Sequence, residues 1–261
     1  MTAHLRGARP PHIHHDEAGP EEAPLVVLVH GAMDRSAGML KLSRRLDHDH
    51  RVLRYDRRGY GRSTPHPGPF SMPHQVDDLL ALIGERRAIL VGHSYGGNVA
   101  LAAAARRADL VRGVVVYESP LSWTPWWPSA TPGTAAIESA HDTEAAAEAF
   151  MRRLIGAERW DALPERTRAT RRAEGAALVG ELGDLRTHAP WVAAAITVPV
   201  WAGVGEHAVP HQQRGMRELA AMLPDCRLVE LPGCRHMANA TDPDLFRRLL
   251  VDPLLERLDT R

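Results

Sequence analysis

Short apolar runs alternate with longer segments of helical pattern along most of this 261-residue chain. Alternation of this kind is typical of a mainly parallel sheet with helices packed against it. Most of the runs are unbroken in apolar character, as expected for strands that helices cover on both faces. Six of them predict strands: Leu25–Val29, Arg51–Tyr55, Ala88–Val91, Val111–Tyr117, Val198–Gly203 and Arg227–Leu231.

The segments between these strands predict helices, and the start of the chain is a further candidate for strand structure. His4–Asp16 is expected to add one or two edge strands, although Pro10 and Pro11 oppose strand pairing there. The prediction is therefore an α/β fold with a mostly parallel sheet of about eight strands flanked by helices. The helices predicted around this sheet are Gly38–Leu46, Gln75–Gly84, Tyr95–Arg107, His211–Leu223 and Asp242–Leu258.

One long stretch interrupts the alternation. From Ser119 to about His188 the chain has no strand pattern; a Trp- and Pro-rich opening is followed by helical patterns rich in Ala, Glu and Arg. An insertion after the C-terminal end of a strand lies where α/β enzymes build ligand sites. We therefore predict one domain, with a core of residues 1–118 and 189–261 and a helical lid of residues 119–188. The alternative is a helical elaboration with a purely structural role.

The balance of charges limits the partners of the chain. Lysine and arginine together number 32, as do aspartate and glutamate, so the positive excess typical of nucleic-acid or anionic-membrane binding is missing. No apolar run approaches the length of a membrane span, and the N-terminus lacks the apolar stretch of a secretory signal. Cys226 and Cys234 lie across a predicted strand and turn and are expected to stay thiols. We expect a cytoplasmic protein with a small-molecule substrate and no metal or organic cofactor; the sequence does not indicate its oligomeric state.

The most informative motif is Gly92-His93-Ser94-Tyr95-Gly96, a G-x-S-x-G pattern. It follows an apolar strand directly and precedes a helical run directly. A nucleophilic serine on such a sharp strand-to-helix turn needs small neighbours, because the backbone is crowded there. The first amides of the helix also favour negative charge that develops near the serine. Ser94 is therefore the candidate nucleophile.

With this motif the chain resembles the α/β-hydrolase superfamily, in its serine-nucleophile branch of esterases, C–C hydrolases and perhydrolases. Three further segments agree in order and spacing: His30-Gly31-Ala32 after the first predicted core strand, the turn Asp56–Ser63, which is similar to D-x-R-G-x-G-x-S, and Gly233–His236 after the last strand. The resemblance covers nearly the whole chain except the predicted lid. It implies an α/β-hydrolase fold and a Ser…acid…His order of catalytic residues.

A serine hydroxyl needs a base to remove its proton, and His236 is the candidate among the 15 histidines. Its position on a Gly-led loop after the last strand agrees with the resemblance. Two backbone amides are needed to hold an oxyanion. The residue after the nucleophile supplies the Tyr95 N–H, and the resemblance implies the Ala32 N–H as the second donor.

The acid of the triad is less obvious from the sequence. The common family position falls on Ala208, which is no carboxylate, so Glu118 and Glu206 remain as candidates. Glu118 ends a strand that is expected to neighbour the strand of the nucleophile, and some haloalkane dehalogenases carry a glutamate acid at that place. We therefore favour Glu118 over Glu206, with another carboxylate or none as the remaining alternatives.

These residues predict a serine hydrolase that cleaves an ester or related acyl bond of a small, apolar substrate through an acyl-enzyme. Trp123, Trp126 and Trp127 are candidates for lining the substrate pocket, although aromatic residues in a cap are about as often simple packing. Alternatives on the same residues are C–C bond hydrolysis, acyl transfer and perhydrolase activity. A further alternative is a non-catalytic ligand-binding protein of the same fold.

Overall fold

A computed structural model describes residues 12–260 of the chain. Seven strands in this range form one sheet in the order β1-β3-β2-β4-β5-β6-β7. Strand β1 pairs with β3 in antiparallel orientation, and all other pairs are parallel. The strands are β1 His15–Ala18, β2 Leu25–Val29, β3 Arg51–Tyr55, β4 Ala88–His93, β5 Val111–Tyr117, β6 Val200–Gly205 and β7 Cys226–Leu231.

The sheet confirms the predicted fold class. Three of the six predicted core strands have the predicted bounds, while β4 is two residues longer at its end and β6 begins two residues later than expected. The predicted edge segment His4–Asp16 contributes only the start of β1 among the described residues, because residues 4–11 lie outside them. The described part of the chain thus holds seven strands, against about eight in the prediction.

Helices cover both faces of the central strands, and this explains why β2, β4 and β6 are buried throughout and almost wholly apolar, whereas the edge strands β1 and β7 carry charged, partly exposed residues. Val27 and Val29 of β2 point into one buried cluster, whereas Val26 and Leu28 point into a second cluster on the opposite face. The helices are α1 Leu40–Leu46, α2 Met72–Ile83, α3 Tyr95–Arg106, α4 Pro132–Glu138, α5 Thr143–Ile155, α6 Ala157–Asp161, α7 Glu165–Arg172, α8 Gly175–Thr187, α9 Pro210–Met222, α10 Ala238–Thr241, α11 Pro243–Phe246 and α12 Asp252–Asp259.

The predicted C-terminal helix Asp242–Leu258 matches the structure within one residue at each end, as an uninterrupted helical run over residues 243–259. The run consists of α11, a π-helical turn over Arg247–Val251, and α12. Pro243 opens the run, where a missing N–H costs least. Pro253 lacks the N–H of the regular helical hydrogen-bond pattern and lies two residues after the π-helical turn.

Residues 119–188 form a helical insertion after the end of β5. Five helices, α4 to α8, account for most of it, and no strand occurs in this fully described segment. Asp142 caps α5 by accepting hydrogen bonds from the backbone N–H groups of Glu144 and Ala145, and Gly156 ends the same helix. None of the helices within residues 12–260 is both long and apolar enough to cross a bilayer.

Candidate active site

Ser94 lies on a sharp turn between strand β4 and helix α3. Its backbone has φ 53° and ψ −124°, a conformation that side chains rarely adopt. The Ser94 N–H donates to the Tyr117 carbonyl at 2.8 Å, which fastens the turn to the neighbouring strand β5. The side chain of Ser94 is partly exposed although the residues around it are buried. This is the geometry that presents a hydroxyl at the end of a sheet.

The glycines of the motif allow the backbones to approach each other at this turn. A Cβ on Gly96 would lie 2.2 Å from the Val29 carbonyl oxygen, and one on Gly92 would lie 2.5 Å from the Gly96 carbonyl oxygen. Both contacts are far inside van der Waals distance and involve backbone, which cannot rotate away. The G-x-S-x-G pattern therefore reflects a steric requirement of this turn.

Glu118 directly follows β5, which lies between β4 and β6 in the sheet. Its side chain is 1% exposed and its backbone has φ 47°, a left-handed conformation that costs free energy for a residue with a side chain. One carboxylate oxygen accepts a hydrogen bond from the Gly205 N–H at 3.0 Å. The other lies 2.7 Å from Nδ1 of His236. The structure thus brings Glu118 to the predicted base.

Glu206 lies in the loop after β6 and is exposed. Its carboxylate accepts a hydrogen bond from the Gly233 N–H at 2.7 Å, and its own N–H donates to the Leu231 carbonyl. These contacts hold the turn that precedes His236. Glu206 therefore supports the loop, while Glu118 contacts the imidazole.

The loop that carries His236 is fastened to the turn that carries Ser94. Nε2 of His93 donates to the His236 carbonyl at 2.8 Å, and the two rings lie 4.6 Å apart. The Tyr117 hydroxyl donates to the Arg235 carbonyl at 2.9 Å. Burial lowers the pKa of His93 to about 3, so this ring is neutral at ordinary pH and adds no charge beside His236.

The His30–Met33 loop follows β2 and lies against the same turn. A Cβ on Gly31 would lie 3.0 Å from Cβ of Ser94. Within residues 12–260, the backbone N–H groups of Ala32 and Tyr95 donate no hydrogen bond to another residue. Two free N–H groups beside a partly exposed hydroxyl have the composition of an oxyanion hole.

Backbone strain is concentrated at these three segments. Among residues 12–260, the non-glycine residues with positive φ are Met33, Ser94 and Glu118. They belong to the loop after β2, the turn after β4 and the end of β5. Strain of this kind persists where the surrounding structure holds it, and such positions cluster at active sites.

The three candidate tryptophans are partly buried against other aromatic and charged side chains. Trp123 contacts the Trp191 ring edge to face at 5.5 Å. Trp127 packs on His211 of α9 at 4.9 Å, and the Arg214 guanidinium lies 4.1 Å above the Trp126 ring. Burial lowers the pKa of His211, with opposing effects from the nearby charges of Glu118 and His236. The Trp127–His211 pair therefore lies near the predicted triad.

The sequence patterns did not single out Arg57 and Glu181, which the structure places behind the His30–Met33 loop. Both side chains are wholly buried and form an ion pair, although 124 residues separate them. A signal was present in α8, where Glu181 shares one face with Leu178, Leu182 and Leu185. A carboxylate on an otherwise apolar helix face indicates a buried partner.

No group of three or more His, Cys, Asp or Glu side chains in residues 12–260 is arranged to hold a metal ion. Cys226 and Cys234 are both free thiols. Burial raises the pKa of the Cys226 thiol to about 12 and also raises that of Cys234. Both groups are thus protonated at neutral pH and poorly suited to act as ligands or nucleophiles.

Comparison with known proteins gives matches over nearly the whole chain. A model of the alpha/beta hydrolase family matches residues 26–249. A protein named as a candidate carbamate hydrolase, RutD, from Pseudomonas savastanoi pv. phaseolicola (strain 1448A / Race 6) is 32% identical over 264 aligned positions, which cover 88% of this chain and 93% of that protein. A 2-(acetamidomethylene)succinate hydrolase from Mesorhizobium japonicum (strain LMG 29417 / CECT 9101 / MAFF 303099) is 26% identical, with coverage of 88% and 87%.

The solved structures show the same relationship. The enol-lactonase from Burkholderia xenovorans LB400 superposes with a TM-score of 0.70 and 26% sequence identity, covering 95% of this chain and 96% of that chain. The matched length includes the helical insertion as well as the sheet region.

Proposed function

The chain belongs to the alpha/beta hydrolase family and is an enzyme of hydrolase type, and we propose that it cleaves an acyl bond of a small molecule through a covalent intermediate on Ser94. The observation that carries this proposal is the 2.7 Å contact between the buried Glu118 carboxylate and Nδ1 of His236. That contact holds the Nδ1 proton, so Nε2 is the free acceptor of the ring.

In the first half-reaction Nε2 of His236 takes the proton of the Ser94 hydroxyl as Oγ attacks the acyl carbon of the substrate. The carbonyl double bond opens to an oxyanion, which the N–H groups of Ala32 and Tyr95 hold. The imidazolium formed in this step is stabilised by the adjacent Glu118 carboxylate. The oxyanion then collapses to a carbonyl, the bond between the acyl carbon and the leaving group breaks as Nε2 gives its proton to that group, and the acyl-enzyme remains.

In the second half-reaction water replaces the leaving group. His236 takes a proton from the water as its oxygen attacks the acyl carbon of the ester on Ser94. The same two N–H groups hold the second oxyanion. When this collapses, the bond to Ser94 breaks, the hydroxyl regains its proton from His236, and a carboxylic acid leaves. These residues, the substrate and water account for every proton moved and every bond formed or broken in the two half-reactions.

Acyl hydrolysis agrees with the names of the similar proteins, which are a carbamate hydrolase, a 2-(acetamidomethylene)succinate hydrolase and an enol-lactonase. A serine at position 94 also argues against the alkyl-ester chemistry of an aspartate nucleophile. C–C bond hydrolysis, acyl transfer and perhydrolysis need the same residues and differ in the acceptor or in the bond cleaved. We therefore propose acyl hydrolysis as the general reaction and leave the acyl group open.

We further propose that residues 119–188 act as a lid and that Trp123, Trp126 and Trp127 form an apolar wall of the substrate pocket. Support comes from the position of the insertion after β5, directly beyond Glu118, and from the packing of Trp127 near the triad. Two free thiols are compatible with the reducing cytoplasm that we propose as the location.

Activity-based labelling tests the nucleophile without knowledge of the substrate. A fluorophosphonate should modify the wild-type protein at Ser94, as found by peptide mass spectrometry, and should not modify Ser94→Ala. The matched control is Ser129→Ala, an exposed serine of the insertion, which should label like the wild type. Hydrolysis of p-nitrophenyl acetate should vanish in Ser94→Ala alone. Equal rates in wild type and Ser94→Ala would contradict the proposal.

A further inference from the structure

A completely buried arginine lies behind the His30–Met33 loop. The Arg57 side chain is 0% exposed. Its Nε donates to the His30 carbonyl at 3.0 Å, and its Nη2 donates to the Gly31 carbonyl at 3.1 Å. On its other side the guanidinium donates to both carboxylate oxygens of Glu181 in α8, at 2.5 and 3.2 Å. One side chain thus connects the helical insertion to two consecutive carbonyls of the loop.

The Gly31 carbonyl belongs to the same peptide unit as the Ala32 N–H. This unit is planar, so a donor that fixes the direction of the C=O also fixes the direction of the N–H. A cationic donor on the oxygen in addition draws electron density from the nitrogen and strengthens the N–H as a donor, because hydrogen bonds in series polarise one another. The Arg57–Gly31 contact therefore acts on the Ala32 N–H through a single rigid group.

We infer that Arg57 is a positioning residue of this enzyme: held by Glu181 of the insertion, it aims and polarises the Gly31–Ala32 peptide so that the Ala32 N–H stabilises the oxyanion. This inference rests on the proposed function, in which that N–H is one of two oxyanion donors. It assigns to the insertion a second role besides covering substrate, since α8 supplies the carboxylate that holds the arginine.

His30 contributes to the same peptide unit. Its Nδ1 lies 2.7 Å from the Gly31 carbonyl oxygen, and its Nε2 accepts the backbone N–H of Arg57 at 2.9 Å. With one nitrogen donating and the other accepting, the ring is neutral. Burial and the adjacent Arg57 charge both lower the pKa of His30, which agrees with this state. The Gly31 oxygen thus receives two side-chain donors, besides a longer hydrogen bond from the Asp34 N–H at 3.4 Å.

Arg57 also contacts the residue that carries the second proposed donor. Its guanidinium carbon lies 4.7 Å from the centre of the Tyr95 ring, and 5.0 Å from that of Tyr60. The Tyr60 hydroxyl donates to Glu181 at 2.7 Å, so the carboxylate is bound on two sides. Burial disfavours the charged guanidinium, but Glu181 outweighs this effect and raises the pKa of Arg57. Arg57 therefore remains charged while it contacts both the Gly31 carbonyl and the Tyr95 ring.

Stability alone is a poor reason for this arrangement. Removing two charges from water is costly, and apolar residues of similar volume often stabilise a core equally well or better. Loss of one partner is a different matter, because it leaves an uncompensated buried charge. A substitution of Arg57 alone thus mixes folding effects with catalytic effects. The test needs a variant that removes the charges together.

The experiment compares the wild type with a compensated variant that carries Arg57→Met, Tyr60→Phe and Glu181→Leu. The matched control is the pair Arg58→Met and Asp78→Leu. Arg58 is the next residue in the chain and forms a bidentate ion pair with Asp78, but it donates to the Pro69 carbonyl and not to the His30–Met33 loop. Circular dichroism and thermal unfolding establish that each variant is folded.

Two readouts separate aiming of the oxyanion donor from a general structural role. The first is kcat and KM for p-nitrophenyl acetate. The second is the affinity for a trifluoromethyl ketone, whose adduct with serine carries an oxyanion, measured beside the affinity for acetate, which carries none. We expect the compensated variant to lose roughly 10- to 100-fold in kcat and a similar factor in ketone affinity. This loss should not exceed the effect of deleting one oxyanion donor.

KM and acetate affinity should stay within about threefold of the wild type in the compensated variant, and the control pair should keep kcat. A folded compensated variant with wild-type kcat and wild-type ketone affinity would overturn the inference. So would an equal loss of ketone and acetate affinity, which would indicate a collapsed pocket. If Ser94→Ala retains activity or the wild type does not bind the ketone, the proposed function itself fails, independently of Arg57.

Discussion

The Glu118 carboxylate and the His236 imidazole meet at 2.7 Å, although 118 residues separate them in the chain. Glu118 is 1% exposed and the His236 side chain 28% exposed, so the contact joins a buried group to one that faces the proposed site. The second oxygen of the Glu118 carboxylate accepts a hydrogen bond from the Gly205 N–H of the adjacent strand β6. The carboxylate is thus fixed in orientation before any substrate binds.

Substitution of Glu118 by glutamine should reduce kcat by about four orders of magnitude, because an amide does not hold the imidazole in the productive tautomer or stabilise its charged form. Glu206→Gln is the matched control and should change kcat by no more than a few-fold, since Glu206 contacts the Gly233 N–H. Steady-state kinetics with p-nitrophenyl acetate and thermal unfolding measure both. Loss of turnover in Glu206→Gln alone would contradict the assignment.

The buried histidines His93 and His30 predict loss of stability in acid. Burial lowers the pKa of His93 from 6.5 to about 3 and lowers that of His30 as well. As pH falls below 6.5, the unfolded chain binds protons at both residues and the folded chain does not, so the free energy of unfolding decreases. Each residue contributes a slope of up to about 1.4 kcal/mol per pH unit.

Urea denaturation of the wild type and His93→Gln between pH 5 and 7 tests this point. Glutamine keeps a donor for the His236 carbonyl but binds no proton, so the stability of the variant should fall less steeply toward low pH. The expected difference in slope is up to about 1.4 kcal/mol per pH unit. Parallel curves for the two proteins would count against a neutral His93.

The close backbone approach at Gly96 predicts a large cost for any added side chain. Gly96→Ala should lower the free energy of unfolding by about 3 kcal/mol or more, because the new Cβ would meet the Val29 and His30 carbonyl oxygens. Gly183→Ala in α8 is the control, since its Cβ would find only Ile137 at 3.8 Å. It should stabilise the protein by roughly 0.5–1 kcal/mol. Chemical denaturation measures both, and equal effects would refute the steric explanation.

Trp127 offers a test of the proposed pocket wall. Trp127→Ala should raise KM for aryl esters on the order of tenfold, since one aromatic surface is lost from the pocket. Trp160, which lies in the same insertion and is fully buried, is the control. Trp160→Phe should lower the melting temperature and leave KM unchanged. A Trp127→Ala variant with wild-type KM would show that this ring serves packing alone.

Local patterns were sufficient for the sheet and for the turn that carries Ser94. The unbroken apolar runs of the central strands predicted both-face burial correctly, whereas β7 at the edge of the sheet is mostly exposed. The glycines around Ser94 reflect contacts within the turn and with β2. The same local reasoning placed the C-terminal helix within one residue of its ends but did not predict its π-helical turn over Arg247–Val251. It favoured Glu118 over Glu206 as the acid but did not exclude Glu206.

The sequence by itself determined which segments form the strands β2 to β7 and where a nucleophile could stand, because strand patterns and turn sterics are properties of neighbouring residues. Only the tertiary structure decided which carboxylate reaches His236 and that Glu181 holds Arg57. These contacts join residues more than a hundred positions apart, and they depend on strand order and on how α8 packs against the sheet. A pattern of neighbouring residues does not reveal such long-range contacts, because they form only when the whole core packs together.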